Sequence, residues 1–361
     1  MERKLASVRT ILDIQPIEGA DMIELAIVDG WEVVVAKNVG HKVGDKVVYC
    51  EIDSFLPIKD EFEFLRKSSY KKMGGQEGFR LKTIKLRGQV SQGLILPLSV
   101  LKTTNIPMLT TSEQEWGTQY EMFAEDGTPM VEIGDDVTKV LGIVKYEPPI
   151  PAELAGKVKG LFPSFLRKTD EERVQNMAKE YEEYRLSSVY KFYVTEKLDG
   201  SSATFYLKDG VFGVCSRNLE LIESEGNTFW KVARDLDLEN KMASLEFNVC
   251  LQGELIGEGI QGNPYKIKGQ TVRFFNGFNI DTQENIPFLE FVEIIQKMNL
   301  KTVPILDYEF LLPKTIGDML NYADNKSELN LNFDREGVVV RSYERTVSFK
   351  AISNKFLLNE K

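Results

Sequence analysis

Tyr193-Val194-Thr195-Glu196-Lys197-Leu198-Asp199-Gly200-Ser201-Ser202 is a strand-forming run that ends in a glycine turn, with one lysine where strand gives way to turn. A lysine at a strand end is held rigidly, and a turn built on glycine leaves space for a ligand beside it. Read alone, Lys-x-Asp-Gly fits an exposed lysine at a turn better than any chemistry. The stretch gains its meaning from the motifs downstream of it.

Ser216-Arg217-Asn218 closes the next hairpin, whose Asp209-Gly210 pair is a strong tight-turn signal. Gln252-Gly253-Glu254-Leu255-Ile256-Gly257 comes next, then Phe274-Phe275-Asn276-Gly277-Phe278-Asn279-Ile280, then Arg335-Glu336-Gly337-Val338-Val339-Val340-Arg341, and finally Ser348-Phe349-Lys350. This ordered set resembles the covalent nucleotidyltransferase superfamily of polynucleotide ligases and RNA capping enzymes, over residues 160 to 356. DNA ligases and capping enzymes of that superfamily carry an OB domain after the nucleotidyltransferase domain. Here eleven residues follow Lys350, and a barrel-like half comes first. That order is similar to one group of ATP-dependent RNA ligases, sometimes counted as the fifth RNA ligase family. The run from Phe162 to Asn176 is also similar to the segment that precedes the nucleophile in RNA ligases.

The resemblance implies two domains, an N-terminal OB-like β-barrel and a C-terminal α+β nucleotidyltransferase (adenylation) domain built on antiparallel sheets. It implies three steps: lysine attacks the α-phosphorus of ATP and releases pyrophosphate, AMP passes to an RNA 5′-phosphate, and a 3′-OH displaces AMP. The matching nucleophile is Lys197, which would carry AMP covalently. A free lysine has a pKa of about 10.4, and carboxylates nearby raise it further. Asp199, Glu254 and Glu336 stand at the family positions for such carboxylates, so a cation is needed to reverse the local field. Oxygen ligands suit Mg2+ or Mn2+ with retained waters. The resemblance further places Arg217 on ribose or phosphate oxygens and Lys350 on the α-phosphate. It puts Phe278 against adenine with Val339 as the opposite wall, and the Glu196 carbonyl on the adenine amino group. Glu254 belongs to both the nucleotide and the metal sets. The family's last motif reads Lys-x-Lys, but Ser348 and Ile352 flank Lys350 here, which leaves Lys355 to substitute for the missing cation.

Composition agrees with this chemistry. The 361 residues include one histidine, His41, in a Gly-punctuated turn, so a Ser-His-Asp triad or a His-rich metal site is nearly closed off. Cys50, Cys215 and Cys250 are odd in number and lack C-x-x-C spacing, and read as thiols in a reducing compartment. No signal-peptide pattern and no run of about 20 apolar residues is present, so a cytoplasmic location and no membrane contact are expected.

Three prolines in Glu147-Pro148-Pro149-Ile150-Pro151 mark a spacer. The predicted division is therefore 1–147, an OB-like nucleic-acid-binding domain with an inserted loop; 148–151, the linker; and 152–361, the adenylation domain. Strands are predicted at 23–28, 31–36, 46–52, 79–86 and 92–97, with an insertion or long loop at 101–130. Between Arg66 and Arg87 stand eight basic residues against Glu77 alone, a net +7 in a chain whose formal charge is -10. The period-two spacing of Arg80 and Lys82 predicts several charges on one sheet face, with Lys71, Lys72, Arg80, Lys82, Lys85 and Arg87 as nucleic-acid contacts. In the second half Thr169-Asp170-Glu171-Glu172 reads as a capping box opening a helix through Val174 and Met177. Phe288, Phe291, Val292, Ile295 and Met298 read as the buried face of another helix.

The expected partner is RNA, as a nicked duplex with RNA on the 3′-OH side, in a repair role, for a monomer with no obligate protein partner. The alternatives are a DNA ligase, an RNA-capping guanylyltransferase, or a non-catalytic nucleic-acid-binding OB protein.

Overall fold

The computed structural model describes residues 4–102, 130–147 and 156–359. The spacer expected at 148–151 and most of the insertion expected at 101–130 lie outside these residues. The chain divides into two compact units, Met1–Pro149 and Ile150–Lys361.

The first unit is an OB-fold of short antiparallel strands: β1 (Ala6–Pro16), β2 (Ile23–Val28), β3 (Trp31–Ala36), β4 (Lys46–Cys50), β5 (Ser54–Pro57), β6 (Tyr70–Met73), β7 (Gln76–Arg80), β8 (Ile84–Leu86), β9 (Gln89–Ser91), β10 (Leu94–Pro97) and β11 (Val144–Lys145). One sheet runs β10-β4-β1-β2-β3, a second β11-β5-β7-β6, and β8-β9 form a ribbon. The organising strand is β1, for which the sequence made no prediction. Residues 6–10 pair with β4 and residues 11–16 with β2, with a register shift between Ile11 and Asp13. That bulge breaks the period-two pattern, and the bend it adds lets the sheet curl until its edges, β10 and β3, approach. Val8, Val48, Leu56, Phe62, Phe79 and Val137 fill the interior.

The strand expected at 79–86 is two elements, since the chain leaves the sheet after Arg80 and re-enters a ladder at Ile84. The strand expected at 92–97 forms from Leu94 onward, after Gly93. There φ is +97°, and a Cβ would stand 2.5 Å from the Cys50 carbonyl, so glycine alone is accommodated. His41 sits half-buried in the loop before β4, and all three cysteines are buried free thiols.

The second unit holds β12 (Val158–Leu161), β13 (Glu172–Arg173), β14 (Phe192–Lys197), β15 (Ser201–Lys208), β16 (Val211–Cys215), β17 (Leu219–Leu221), β18 (Val249–Gly257), β19 (Gln270–Asn279), β20 (Glu284–Asn285), β21 (Ile305–Phe310), β22 (Gly337–Ser342) and β23 (Ser348–Ile352). A seven-stranded sheet runs β12-β17-β16-β15-β18-β19-β20, and a five-stranded sheet runs β13-β23-β22-β14-β21. The hairpin at Asp209-Gly210 forms with both residues at positive φ, as a tight turn of that dipeptide requires. The expected helix appears as Phe288–Lys297, burying Phe288, Phe291, Val292 and Ile295 against the larger sheet. Tyr193 of β14 stacks on Phe288 at 3.5 Å between ring centroids, tying the two sheets together.

The helix predicted from Thr169 is not formed. Glu172 and Arg173 pair in parallel with Phe349 and Lys350, a 3-10 turn follows at Val174–Met177, and the α-helix starts only at Ala178. The would-be cap residues are drawn off by partners far along the chain. Asp170 meets Lys350, and Glu171 accepts from Arg341. Among the described residues no helix is long and apolar enough to cross a membrane.

Candidate active site

The site draws on both sheets of the second unit, Glu254 and Phe278 coming from the seven-stranded sheet and Lys197, Val339 and Lys350 from one face of the five-stranded sheet. Directly paired residues on neighbouring strands share a face, and the register pairs Lys197 with Gly337, Thr195 with Val339, and Tyr193 with Arg341. Across the next ladder Gly337 pairs with Ile352, Val339 with Lys350, and Arg341 with Ser348. Arg173 comes beside Lys350 from β13. Lys197, Val339, Arg341, Lys350 and Arg173 therefore form one surface. Glu196 faces the other way, its carboxylate accepting from the Glu328 backbone N–H at 2.8 Å.

Lys197 is the last residue of β14, and its ammonium donates to Glu336 Oε1 at 2.5 Å. Burial works to lower the lysine pKa, but Glu336, Glu254 and Asp199 outweigh it and hold the ammonium above its ordinary range. Burial likewise pushes Glu254 up to about 8, with Lys197 opposing and Glu336 and Asp199 adding. Three carboxyl groups thus crowd one ammonium, an excess of negative character that a divalent cation would relieve. Among the described residues no three such side chains converge closely enough to hold a metal directly. The donor set therefore fits a hydrated cation held through waters, and does not fit a closed carboxylate cage. The turn after Lys197 is pinned by buried Tyr265, whose hydroxyl accepts from the Asp199 backbone N–H at 2.6 Å.

Lys350 and Arg217 meet on one carboxylate. Asp170 Oδ1 lies 2.9 Å from Lys350 Nζ, and Oδ2 lies 3.5 Å from Arg217 Nη2. Lys355 is turned elsewhere, 3.8 Å from Asp324, so the structure does not bring it to Lys350. Directly across from Ser348 on the neighbouring strand stands Arg341. Arg341 is 3% exposed, and it and Ser348 both donate to Glu171. Its even spacing from Val339 in the Gly337–Ser342 strand carried that information, since period two puts both on one face. Phe278 is buried with Cys250 and Tyr206, and the Arg167 guanidinium lies over its ring at 5.1 Å. Asp170, Glu171 and Arg167 escaped the sequence reading because local pattern assigned the first two to a helix cap and gave the third no role.

In the first unit the six cations have different surroundings. Arg80 lies 3.4 Å from Asp53 and 4.5 Å above the Tyr146 ring, and Lys72 pairs with Glu77 at 2.8 Å. Lys71, Lys82, Lys85 and Arg87 are exposed and form no ion pair with a described residue. They do not share one sheet face, because β7 stops at Arg80. Alternation persists in burial only, with Leu81 and Thr83 inward and Lys82 and Ile84 outward.

A family model described as an OB-fold domain matches residues 5–98, and one described as RNA ligase matches residues 190–353. Solved structures of Naegleria gruberi RNA ligase are similar over the whole length. A mutant with AMP and Mn is 42% identical, with 99% of each chain covered and a TM-score of 0.84. Another mutant, with ATP and Mn, gives the same identity, coverage and TM-score. The same ligase with pyrophosphate is 42% identical over 99% of this chain and 98% of that one, with a TM-score of 0.83. No curated protein matches the chain.

Proposed function

The chain belongs to the RNA ligase family, and from that premise we propose how its residues carry out ATP-dependent RNA ligation. ATP and a divalent cation, Mg2+ or Mn2+, are its cofactors, as the relatives with ATP or AMP and Mn support. RNA is the substrate. The observation that carries the residue roles is the ammonium of Lys197 at a rigid strand end, 2.5 Å from Glu336 and crowded by Glu254 and Asp199.

In this reading Lys197 Nζ attacks the α-phosphorus of ATP. The ammonium first gives up a proton to solvent, and then a nitrogen–phosphorus bond forms as the bond to pyrophosphate breaks. Asp199, Glu254 and Glu336 would hold the hydrated cation, which favours neutral lysine and offsets charge on the phosphates. Lys350 and Arg217 take the phosphate and ribose oxygens, Lys350 as a point charge and Arg217 as a fork. Phe278 and Val339 flank the adenine, and the Glu196 carbonyl reads its amino group. AMP then moves to an RNA 5′-phosphate, and a 3′-OH displaces it to leave a phosphodiester. The second cation of the family motif, assigned by the sequence reading to Lys355, is not supplied by Arg341, whose charge Glu171 compensates; Lys350 and Arg217 are the phosphate cations of this reading. The preferred substrate is a nick in a duplex with RNA on the 3′-OH side, and the biological role is repair of broken RNA in the cytoplasm. Lys71, Lys82, Lys85 and Arg87 are the uncommitted cations of the OB-fold that would meet the RNA backbone, with Lys72 and Arg80 beside them.

The test is covalent labelling with ATP, GTP or NAD, followed by sealing of 5′-phosphate nicks with RNA or DNA on each side, for wild type and Lys197→Ala. Labelling by ATP alone, lost in Lys197→Ala, and sealing that requires RNA at the 3′-OH side are the expected results. Labelling by GTP or NAD, or equal sealing of all-DNA nicks, overturns the reading.

A further inference from the structure

The strand-free stretch from Phe162 to Glu171 lays its side chains on three of the residues given above to the nucleotide. The Asp170 carboxylate bridges Lys350 and Arg217, at 2.9 and 3.5 Å. The Arg167 guanidinium covers the Phe278 ring at 5.1 Å. One short segment thus presents an anion to the phosphate cations and a flat cation to the aromatic wall, the same two kinds of contact a nucleotide makes with its phosphate and its base.

The backbone of this segment is fixed. Leu166 is buried with Cys250 and Phe278, Phe165 packs edge-on to Tyr206 at 5.2 Å, and the Arg167 carbonyl accepts from Gln252 Nε2 at 2.8 Å. At its far end Glu171 is held by Arg341. The side chains of Arg167 and Asp170 are exposed, so they can exchange partners while the backbone stays in place. The contact to Arg217, itself half exposed, is a weak one, while Lys350 is nearly buried; a triphosphate carries more negative charge than one carboxylate and can satisfy both cations in its place.

We propose that Arg167 and Asp170 are internal competitors of the nucleotide: Asp170 holds Lys350 and Arg217 until the phosphates of ATP displace it, and Arg167 yields the Phe278 face to the adenine. This rests on the nucleotide roles of Lys350, Arg217 and Phe278 given above. The consequence is a site whose ATP affinity is set below what its cations alone would give, and from which AMP is expelled as Asp170 returns.

The experiment measures binding of ATP with Mn2+, and of AMP, to the full chain carrying Lys197→Ala, which blocks the covalent step. Asp170→Asn, Asp170→Ala and Arg167→Ala are added singly. Asp170→Asn and Asp170→Ala should tighten ATP by about fivefold, the scale of one charge pair whose loss the incoming phosphates make good. Arg167→Ala should tighten AMP by a similar factor. Unchanged affinity in all three overturns the competition, and weaker binding overturns it in favour of Asp170 and Arg167 as positioning residues. If ATP binds none of the proteins, including the Lys197→Ala parent, the nucleotide roles fall and the competition with them. Circular dichroism matched to the parent confirms that a change in affinity belongs to the site.

Discussion

Gly200 shows how tightly single residues shape the nucleophile's turn. A Cβ there would stand 2.4 Å from the Leu255 carbonyl, 2.8 Å from Ile256 and 2.9 Å from Glu254 Cγ. The obstacle is backbone plus one of the three carboxylates, so relief must move Glu254 or the Lys197–Asp199 turn. Gly200→Ala is expected to cost about 1–3 kcal/mol of stability by overpacking. It should slow lysyl-AMP formation by about a hundredfold, since misplacement of about 1 Å at a reacting centre has that scale. Thermal unfolding and single-turnover labelling measure the two effects, and a Gly200→Ala protein labelled at the wild-type rate removes the steric argument. At this scale the sequence was legible where a residue type is rare or its spacing fixed: Lys197 at a strand end, Glu254 and Glu336 in their runs. It was not legible where a role depends on a partner across the fold. Arg341 reads as the end of a strand until Ser348 and Glu171 are seen beside it.

Elements were legible where their pattern is local. The Asp-Gly hairpin and the helix at Phe288–Lys297 each carry their own turn or periodicity, and both form. The failure at Thr169-Asp170-Glu171-Glu172 is of another kind, because a capping box and an acidic strand edge have the same local spelling. Long-range charge decides between them: Glu171 receives both Nε and Nη2 of Arg341, at 2.9 and 2.7 Å. Burial alone would raise the Glu171 pKa, but Arg341 and Ser348 overcome it and hold the group below the carboxylate norm. A lowered folded-state pKa means that its stabilisation is fully present above the unfolded value of about 4.3 and disappears as pH falls through the folded value. Glu171→Gln leaves buried Arg341 without its counter-charge and should cost about 3–5 kcal/mol at neutral pH. Comparison of thermal midpoints of wild type and Glu171→Gln should show this gap at pH 7 and its narrowing below about pH 4. A gap that is constant down to pH 3 means that the pair contributes packing rather than charge.

For the whole molecule the charge of -10 and the net +7 of residues 66 to 87 pull in opposite directions. The carboxylates crowded around Lys197 account for part of the acidity, and the uncommitted Lys71, Lys82, Lys85 and Arg87 lie in a different unit. Exposed charges act over about 8–10 Å at ordinary ionic strength, so these local fields matter more to a polyanion than the sum does. The two halves of the reaction should therefore respond differently to salt. Lysyl-AMP formation needs no RNA, and among the residues proposed to meet ATP, Lys350 and Phe278 are shielded from solvent. RNA binding releases counterions, with a slope of about 0.9 in log affinity against log salt for each phosphate neutralised. Replacing Lys71, Lys82, Lys85 and Arg87 together by alanine should lower that slope for a nicked RNA duplex by about 3 to 4 and reduce sealing at 150 mM salt by about tenfold or more. Lysyl-AMP formation should change by less than about twofold, since none of the residues proposed to meet ATP is touched. Filter binding over a salt series, run beside self-labelling on the same preparations, separates the two. A slope that stays at the wild-type value places the RNA on some other surface of the chain.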